Sequence, residues 1–468
     1  MVPKLDHESS SAPEPVEEVQ VSPVDIANAL SVVTGKQDVS FQSEAQELAI
    51  KEAVVRQNDL LVVLPTGGGK SAVYMVPAVL ELGKLHIVIV PLLSLLVDLV
   101  RRCEDAGISA TIWHEGLNVS SGILFVQVEK AASNGFIQYL MVNKDKIARF
   151  VYDECHLFVT QKQFRPAMNQ AAQLRAQVNI AVPTILLSAT VPLQMEEDLQ
   201  DHFQMRVKIV RMSTMRHNLR YVVNIVDTDT RVNEVLYSSL ISDNLLKNSA
   251  LARAIVYCRS RERCETVSDF LNKQSEQSIS SFYHANMTQV EREQGFKNWA
   301  SGKTKIMVAT SAFGAGIDYP NVVKVIHIDP AHSLVDYAQE CGRAGRTGMY
   351  SICETITSSQ ALGFIWSCED TDTYQREVLD LLQSSTCRRK KLQTYLDGSG
   401  ETCLMISGVG RCDVCARQAQ QQVCNEQHSN VENLYLAFSF AEQSFWSCWV
   451  FILCCSGSNS TTGKQSTK

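Results

Sequence analysis

Lys70 closes a run of three glycines. The string LPTGGGKS at 64–71 places Thr66, Gly67, Gly68, Gly69, Lys70 and Ser71 directly after an apolar stretch. Lacking Cβ atoms, glycines let backbone N–H groups approach phosphate oxygens. A lysine there can pair with β- and γ-phosphates, and a serine can ligate Mg²⁺. The phosphate-loop pattern begins with Gly, where this chain has Leu64, so taken alone the string also reads as a Gly-rich turn. Asp153 and Glu154, in DECH at 153–156, end a second apolar run. Open α/β sheets bind ligands at the carboxyl ends of their strands. Asp153 would hold Mg²⁺ through water there, and Glu154 would orient and deprotonate an attacking water. Arg343 and Arg346 stand three apart in YAQECGRAGRTG at 337–348, beside Gln339. Phosphoryl transfer gains most from charge placed at the γ-phosphate, a task that suits arginine. A surface arginine pair would leave Gln339, Gly342 and Gly345 unexplained.

A further constellation lies near the C-terminus. Cys387, Cys403, Cys412 and Cys415 are separated by 15, 8 and 2 residues. A Cys-x-x-Cys pair with two more thiols suits a tetrahedral structural Zn²⁺ site. Four unrelated buried cysteines are the alternative in a chain with 15. Residues 1–36 lack a charged-then-apolar leader pattern, so a reducing compartment fits better than a secreted disulfide scaffold.

The elements that must position these residues follow from periodicity. Short apolar runs at 60–64, 87–90, 123–126, 150–153 and 185–187 alternate with helical patterns. A second series, at 254–258, 281–284, 306–309, 322–328 and 352–355, does the same. This alternation predicts α/β architecture, with two parallel sheets in series, each covered on both faces. The joint is expected between 191 and 226. The first domain then carries Lys70 and Glu154 and the second the arginines, so ATP would sit between them. Residues 1–36 hold six acids against two lysines and are rich in Pro and Ser. They are expected to be a disordered acidic tail. The whole chain has a formal net charge of −7, so an anionic polymer would be gripped by local basic patches and backbone amides.

These strings, with SAT at 188–190, PLLSLLVDLV at 91–100, IVYCRSRERCE at 255–265, FYHANM at 282–287 and ATSAFGAGIDYPNVVKVIH at 309–327, resemble the RecQ family of DNA helicases in helicase superfamily 2. The resemblance runs from about residue 41 to 415. It implies two tandem RecA-like domains, at 37–210 and 211–365, then a small helical zinc-binding subdomain at 366–416, with an unassigned tail at 417–468. It implies an ATP hydrolase that moves 3′ to 5′ on DNA in repair or recombination, with single-stranded and tailed or branched duplex DNA as partner and the nucleus, or the cytoplasm if the source is prokaryotic, as location. Gln46 would recognise adenine. Gly316 and Asp318 would couple ATP to strand contact. Arg346 would be the finger, supported by Arg343.

One departure concerns the loop after the DExH box, HLFVTQKQFRPAM at 156–168. The family's tryptophan is missing, leaving Phe158 and Phe164 as candidate base-stacking groups. Arg388–Lys391 reads as a solvated face or a phosphate contact. Residues 434–455 carry a single charge and are long enough to span a bilayer. A buried segment, or an aberrant C-terminus not selected to fold with the rest, is the preferred expectation, and a membrane is not an expected partner. The 53 residues after Cys415 are too few for the winged helix of larger relatives. The competing classes are a DExH RNA helicase and a nonprocessive DNA-stimulated ATPase or binding protein.

Overall fold

A computed structural model describes residues 21–91, 93–162, 165–314, 319–368 and 373–423. The chain divides into two units, 1–412 and 413–468. The first contains two parallel sheets. Sheet one comprises β1 (Leu60–Val63), β2 (Leu85–Val90), β3 (Ala110–Ile112), β4 (Gly122–Gln127), β5 (Ile147–Tyr152), β6 (Thr184–Ser188) and β7 (Lys208–Arg211), in the order β3-β4-β2-β5-β6-β1-β7. Sheet two comprises β8 (Leu219–Val226), β9 (Arg253–Tyr257), β10 (Ser280–Tyr283), β11 (Ile306–Ala309), β12 (Val322–His327) and β13 (Ser351–Ser358), in the order β10-β11-β9-β12-β13-β8.

β1 shows why such strands read as unbroken apolar runs. Leu61 and Val63 enter the core on one face, while Leu60 and Val62 enter the core on the other. Both faces are dry, so period two gives no polar alternation. The sheet order has a direct consequence for chemistry. β5 pairs with β6 and β6 with β1, which brings the segments following these three strands side by side.

The disordered tail expected over 1–36 is corrected in part. Pro23–Thr34 is a helix. Ser22 accepts from the Asp25 N–H, Pro23 opens the first turn, and Gly35 ends the helix at φ +67°. Ile26, Ala29 and Leu30, at helical spacing, bury into the core of sheet one. Averaged composition concealed that apolar triplet. Among the described residues no helix is long and apolar enough to cross a membrane, and residues 434–455 lie outside them.

Candidate active site

The glycine loop runs from the end of β1 to the helix Ala72–Leu80. Gly67 and Gly69 adopt φ +84° and +75°, a left-handed backbone that favours glycine. At Gly69 a Cβ would also overlap the Gln46 side-chain amide. Gln46 is 3% exposed. Its Nε2 donates to Gly69 O at 3.3 Å, and its Oε1 accepts from Gln42 N at 2.7 Å. The amide is thus oriented from both ends beside the loop. Lys70 Nζ donates to Leu64 O at 3.3 Å, folding its ammonium back across the loop. The helix begins at Ala72. The Ser71 hydroxyl makes no capping bond to that helix.

Asp153 and Glu154 follow β5. Asp153 N donates to Ile89 O at 3.0 Å and Cys155 N to Leu187 O at 2.9 Å, so strands on either side grip the backbone. Between those anchors Glu154 takes φ +47°, an uncommon value for a residue with a side chain. His156, 2% exposed, completes the group. Gln339 Nε2 donates to His156 Nε2 at 3.0 Å. The ring proton is therefore on Nδ1, which donates to Ser188 Oγ at 2.9 Å, and Ser188 in turn donates to Thr190 O at 3.2 Å. Burial, with Lys70 adding to it, lowers the His156 pKa to about 4 against the opposing pull of Asp336. A neutral ring fits this one-way chain of donors.

Burial raises the Asp153 pKa to about 7, with Glu154 adding to the shift and Lys70 opposing it. The sign follows from linkage. The free protein holds this proton up to about pH 7, whereas a carboxyl in an unfolded chain releases it near 4. Asp153 therefore makes the apo fold less stable as pH rises from about 4 to about 7. A divalent cation bound there would select the carboxylate. Mg²⁺–nucleotide binding at pH 6 is therefore expected to release about one proton, and at pH 8 none from this group. Calorimetry in two buffers of different ionisation enthalpy measures that release, and zero release at pH 6 would contradict the assignment.

Gln339 lies in the helix Leu334–Cys341, which Ser333 caps by accepting from Asp336 N at 3.0 Å. Arg343 and Arg346 follow on the turn that leaves this helix, both half-buried. The Arg343 guanidinium packs against Gly314, where a Cβ would lie 3.0 Å from Nη2. Val335, from the same helix, enters the core of sheet one. One helix of the second domain thus touches the first domain through a core contact and a hydrogen bond. The Gln339–His156 bond escaped the sequence reading, although both residues sat in strings already singled out. Gly316 and Asp318 lie outside the described residues.

Known proteins agree with this architecture. Residues 43–199 match the family described as DEAD/DEAH box helicase, and residues 236–348 match the helicase conserved C-terminal domain. RecQ-like DNA helicase blm-1 of Caenorhabditis elegans is 31% identical over 395 residues, which cover 77% of this chain and 39% of that protein. ATP-dependent DNA helicase RecQ of Haemophilus influenzae is 30% identical over 421 residues, covering 83% and 63%. The chain belongs to the RecQ family. It spans less than two thirds of either relative's length. For the fold alone, S. cerevisiae Dbp5 bound to RNA and ADP BeF3 superposes with a TM-score of 0.57 at 14% identity, covering 78% of this chain and 91% of the other.

Two expectations for this RecQ-family chain are corrected. Phe158 is fully buried among Tyr152 and Phe203, so it cannot stack on a base. Phe164, the other candidate, lies outside the described residues. Arg388 and Arg389 are not a solvated face, being 5% and 2% exposed. Arg388 Nη1 donates to Leu382 O at 3.2 Å and Ser384 O at 2.8 Å, and Arg389 donates to Arg216 O and Leu219 O. Orphan backbone carbonyls draw these guanidiniums inward. Lys391 pairs with Asp380 at 2.6 Å, and Lys390 is exposed.

The thiols of this RecQ segment have the spacing that a tetrahedral ion requires. In the first unit, Cys387 and Cys403 sulfurs stand 3.5 Å apart, and those of Cys412 and Cys387 stand 3.8 Å apart. Sulfurs each about 2.3 Å from one zinc are separated by roughly 3.8 Å, so the spacing fits. All three thiols are buried and free of disulfides. Cys415, at the start of the second unit, is also buried.

Proposed function

We propose that this chain hydrolyses ATP to drive itself 3′ to 5′ along DNA, opening tailed or branched duplexes in repair or recombination in the nucleus. The observation that carries the reading is the hydrogen bond from Gln339 to His156, which joins the strand end bearing Asp153 and Glu154 to the helix that leads into Arg343 and Arg346. Lys70 and the amides of 66–71 hold the phosphates, and Gln46 reads adenine. Bound Mg²⁺ would neutralise the β- and γ-oxygens, held by Ser71 and by Asp153 through water. Glu154 accepts the proton of the attacking water. Arg343 and Arg346 meet the charge that develops on the γ-phosphoryl group, which makes turnover depend on closure of the two domains.

The domain limits 37–210, 211–365 and 366–416 belong to the same reading. So do Gly316 and Asp318, proposed to relay strand contact to ATP. Cys387, Cys403, Cys412 and, by its Cys-x-x-Cys spacing, Cys415 would hold one Zn²⁺ in a closed, structural shell. DNA, not RNA, is proposed as the track because the RecQ relatives are described as DNA helicases. Steady-state ATPase assays with single-stranded DNA, with RNA and with neither test this. Stimulation of at least about tenfold by DNA alone is expected. Equal stimulation by RNA, or none by either, would overturn it.

A further inference from the structure

The turn carrying the two arginines is held from behind. Residues 342–346 leave the C-terminus of the helix Leu334–Cys341, where carbonyls lose their intrahelical partners. Arg216 supplies partners. Its Nη1 donates to Gly342 O at 3.3 Å, and its Nη2 donates to Ala344 O at 3.1 Å and Gly345 O at 2.9 Å. These carbonyls flank Arg343 and immediately precede Arg346. Asn218 adds a second brace, with Nδ2 donating to Gly345 O at 2.8 Å and Met349 O at 2.9 Å. A rigid guanidinium fork fixes a turn as a flexible ammonium cannot.

Arg216 is itself held. Its carbonyl accepts from Arg389 Nη1 at 2.6 Å, while Arg389 Nη2 donates to Leu219 O at 2.5 Å. The Arg389 guanidinium lies 5.6 Å over the Tyr221 ring. Arg389 stands two residues after Cys387, in the helix Arg388–Asp397. A chain of direct contacts thus runs from the thiol-bearing segment through Arg389 and Arg216 to the arginine turn.

We propose that Arg216, oriented by Arg389, is the positioning residue for Arg343 and Arg346, so that the thiol-bearing segment sets the rate of ATP turnover. This rests on the reading that those arginines serve the γ-phosphate. Arg216 bonds to the second domain and to none of the loop at 64–71 in any contact described above, so its loss acts on chemistry and spares nucleotide binding. Misplacing a catalytic group by about 1 Å can cost roughly a hundredfold in rate.

The experiment is a double-mutant cycle in the full chain: wild type, Arg216→Gln, Arg346→Ala and the double variant. ATP turnover is measured with saturating single-stranded oligodeoxythymidylate, and affinity with a fluorescent ATP analogue. Arg216→Gln is expected to lower kcat roughly 10- to 100-fold with nucleotide affinity within about twofold. The double variant is expected to lose less than the product of the two single losses, because Arg216 acts in part through Arg346. Arg216→Lys, which retains charge without the fork, is expected to melt as wild type does yet lose most of kcat. Multiplying losses in the double variant, or full turnover by Arg216→Lys, would overturn the relay alone. Wild-type turnover by Arg346→Ala would overturn the arginine reading and the relay with it.

Discussion

Glu154→Gln and Lys70→Ala are each expected to reduce DNA-stimulated ATP turnover by at least about a hundredfold, roughly 3 kcal/mol of barrier. The two variants should fail differently. Gln keeps the volume of Glu154 and its φ +47° backbone site, but cannot take a proton from water. Nucleotide should still bind, and chemistry should stop. Lys70 Nζ bonds only to Leu64 O among its described contacts, so Ala removes no core packing while deleting the cation proposed to meet the β- and γ-phosphates. Affinity and rate should fall together. Melting temperatures should stay within a few degrees of wild type, since neither change opens a cavity. Unchanged kcat in either variant would remove that residue from the site.

Cys412→Ser is expected to abolish binding of one zinc per chain and to destabilise the segment around the helix Arg388–Asp397. Structural zinc in small thiolate sites carries about 10 kcal/mol or more of apparent binding free energy at neutral pH, which becomes folding free energy of the segment. The damage should reach further than the metal. Arg211 donates to Leu396 O at 3.3 Å, and Thr214 N donates to Asp397 at 2.9 Å, so this helix anchors the stretch between the two sheets. The first domain keeps Gln46, Lys70 and its own core, so nucleotide should bind the variant as it binds wild type. Metal analysis, thermal melting and nucleotide titration together check this. Purified protein that lacks zinc and is equally stable would contradict it.

The strands bearing chemistry were legible because burial on both faces writes them as unbroken apolar runs. β1 and β12 were found within one residue of their observed ends, and β5 with its start three residues late. β3 and β7 were missed. Each has three or four residues at the sheet margin, too few to form a run, and β3 is only half-buried. β8 was missed for another reason. Its buried Leu219, Tyr221 and Val223 alternate with polar or half-exposed neighbours, and that signal fell in the stretch set aside as the domain joint. The motif residues themselves were readable by type and spacing, but their mutual contacts were not. No local pattern says that Gln339 meets His156 across 183 residues, or that Arg216 serves carbonyls more than 120 residues away. Arg388 and Arg389 illustrate the same limit. A run of four basic residues reads as solvated, until the fold brings orphan carbonyls within reach of two of them.

Hydrolysis at this site is proposed to drive directional movement on DNA. Strand displacement tests it most directly, using a short duplex with a 3′ single-stranded tail, the same duplex with a 5′ tail, ATP and Mg²⁺, and Glu154→Gln as the chemically dead control. Opening of the 3′-tailed substrate by the wild-type chain with ATP, and by neither the variant nor the wild type without ATP, is the predicted result. Equal opening of both substrates, or opening by Glu154→Gln, would contradict it.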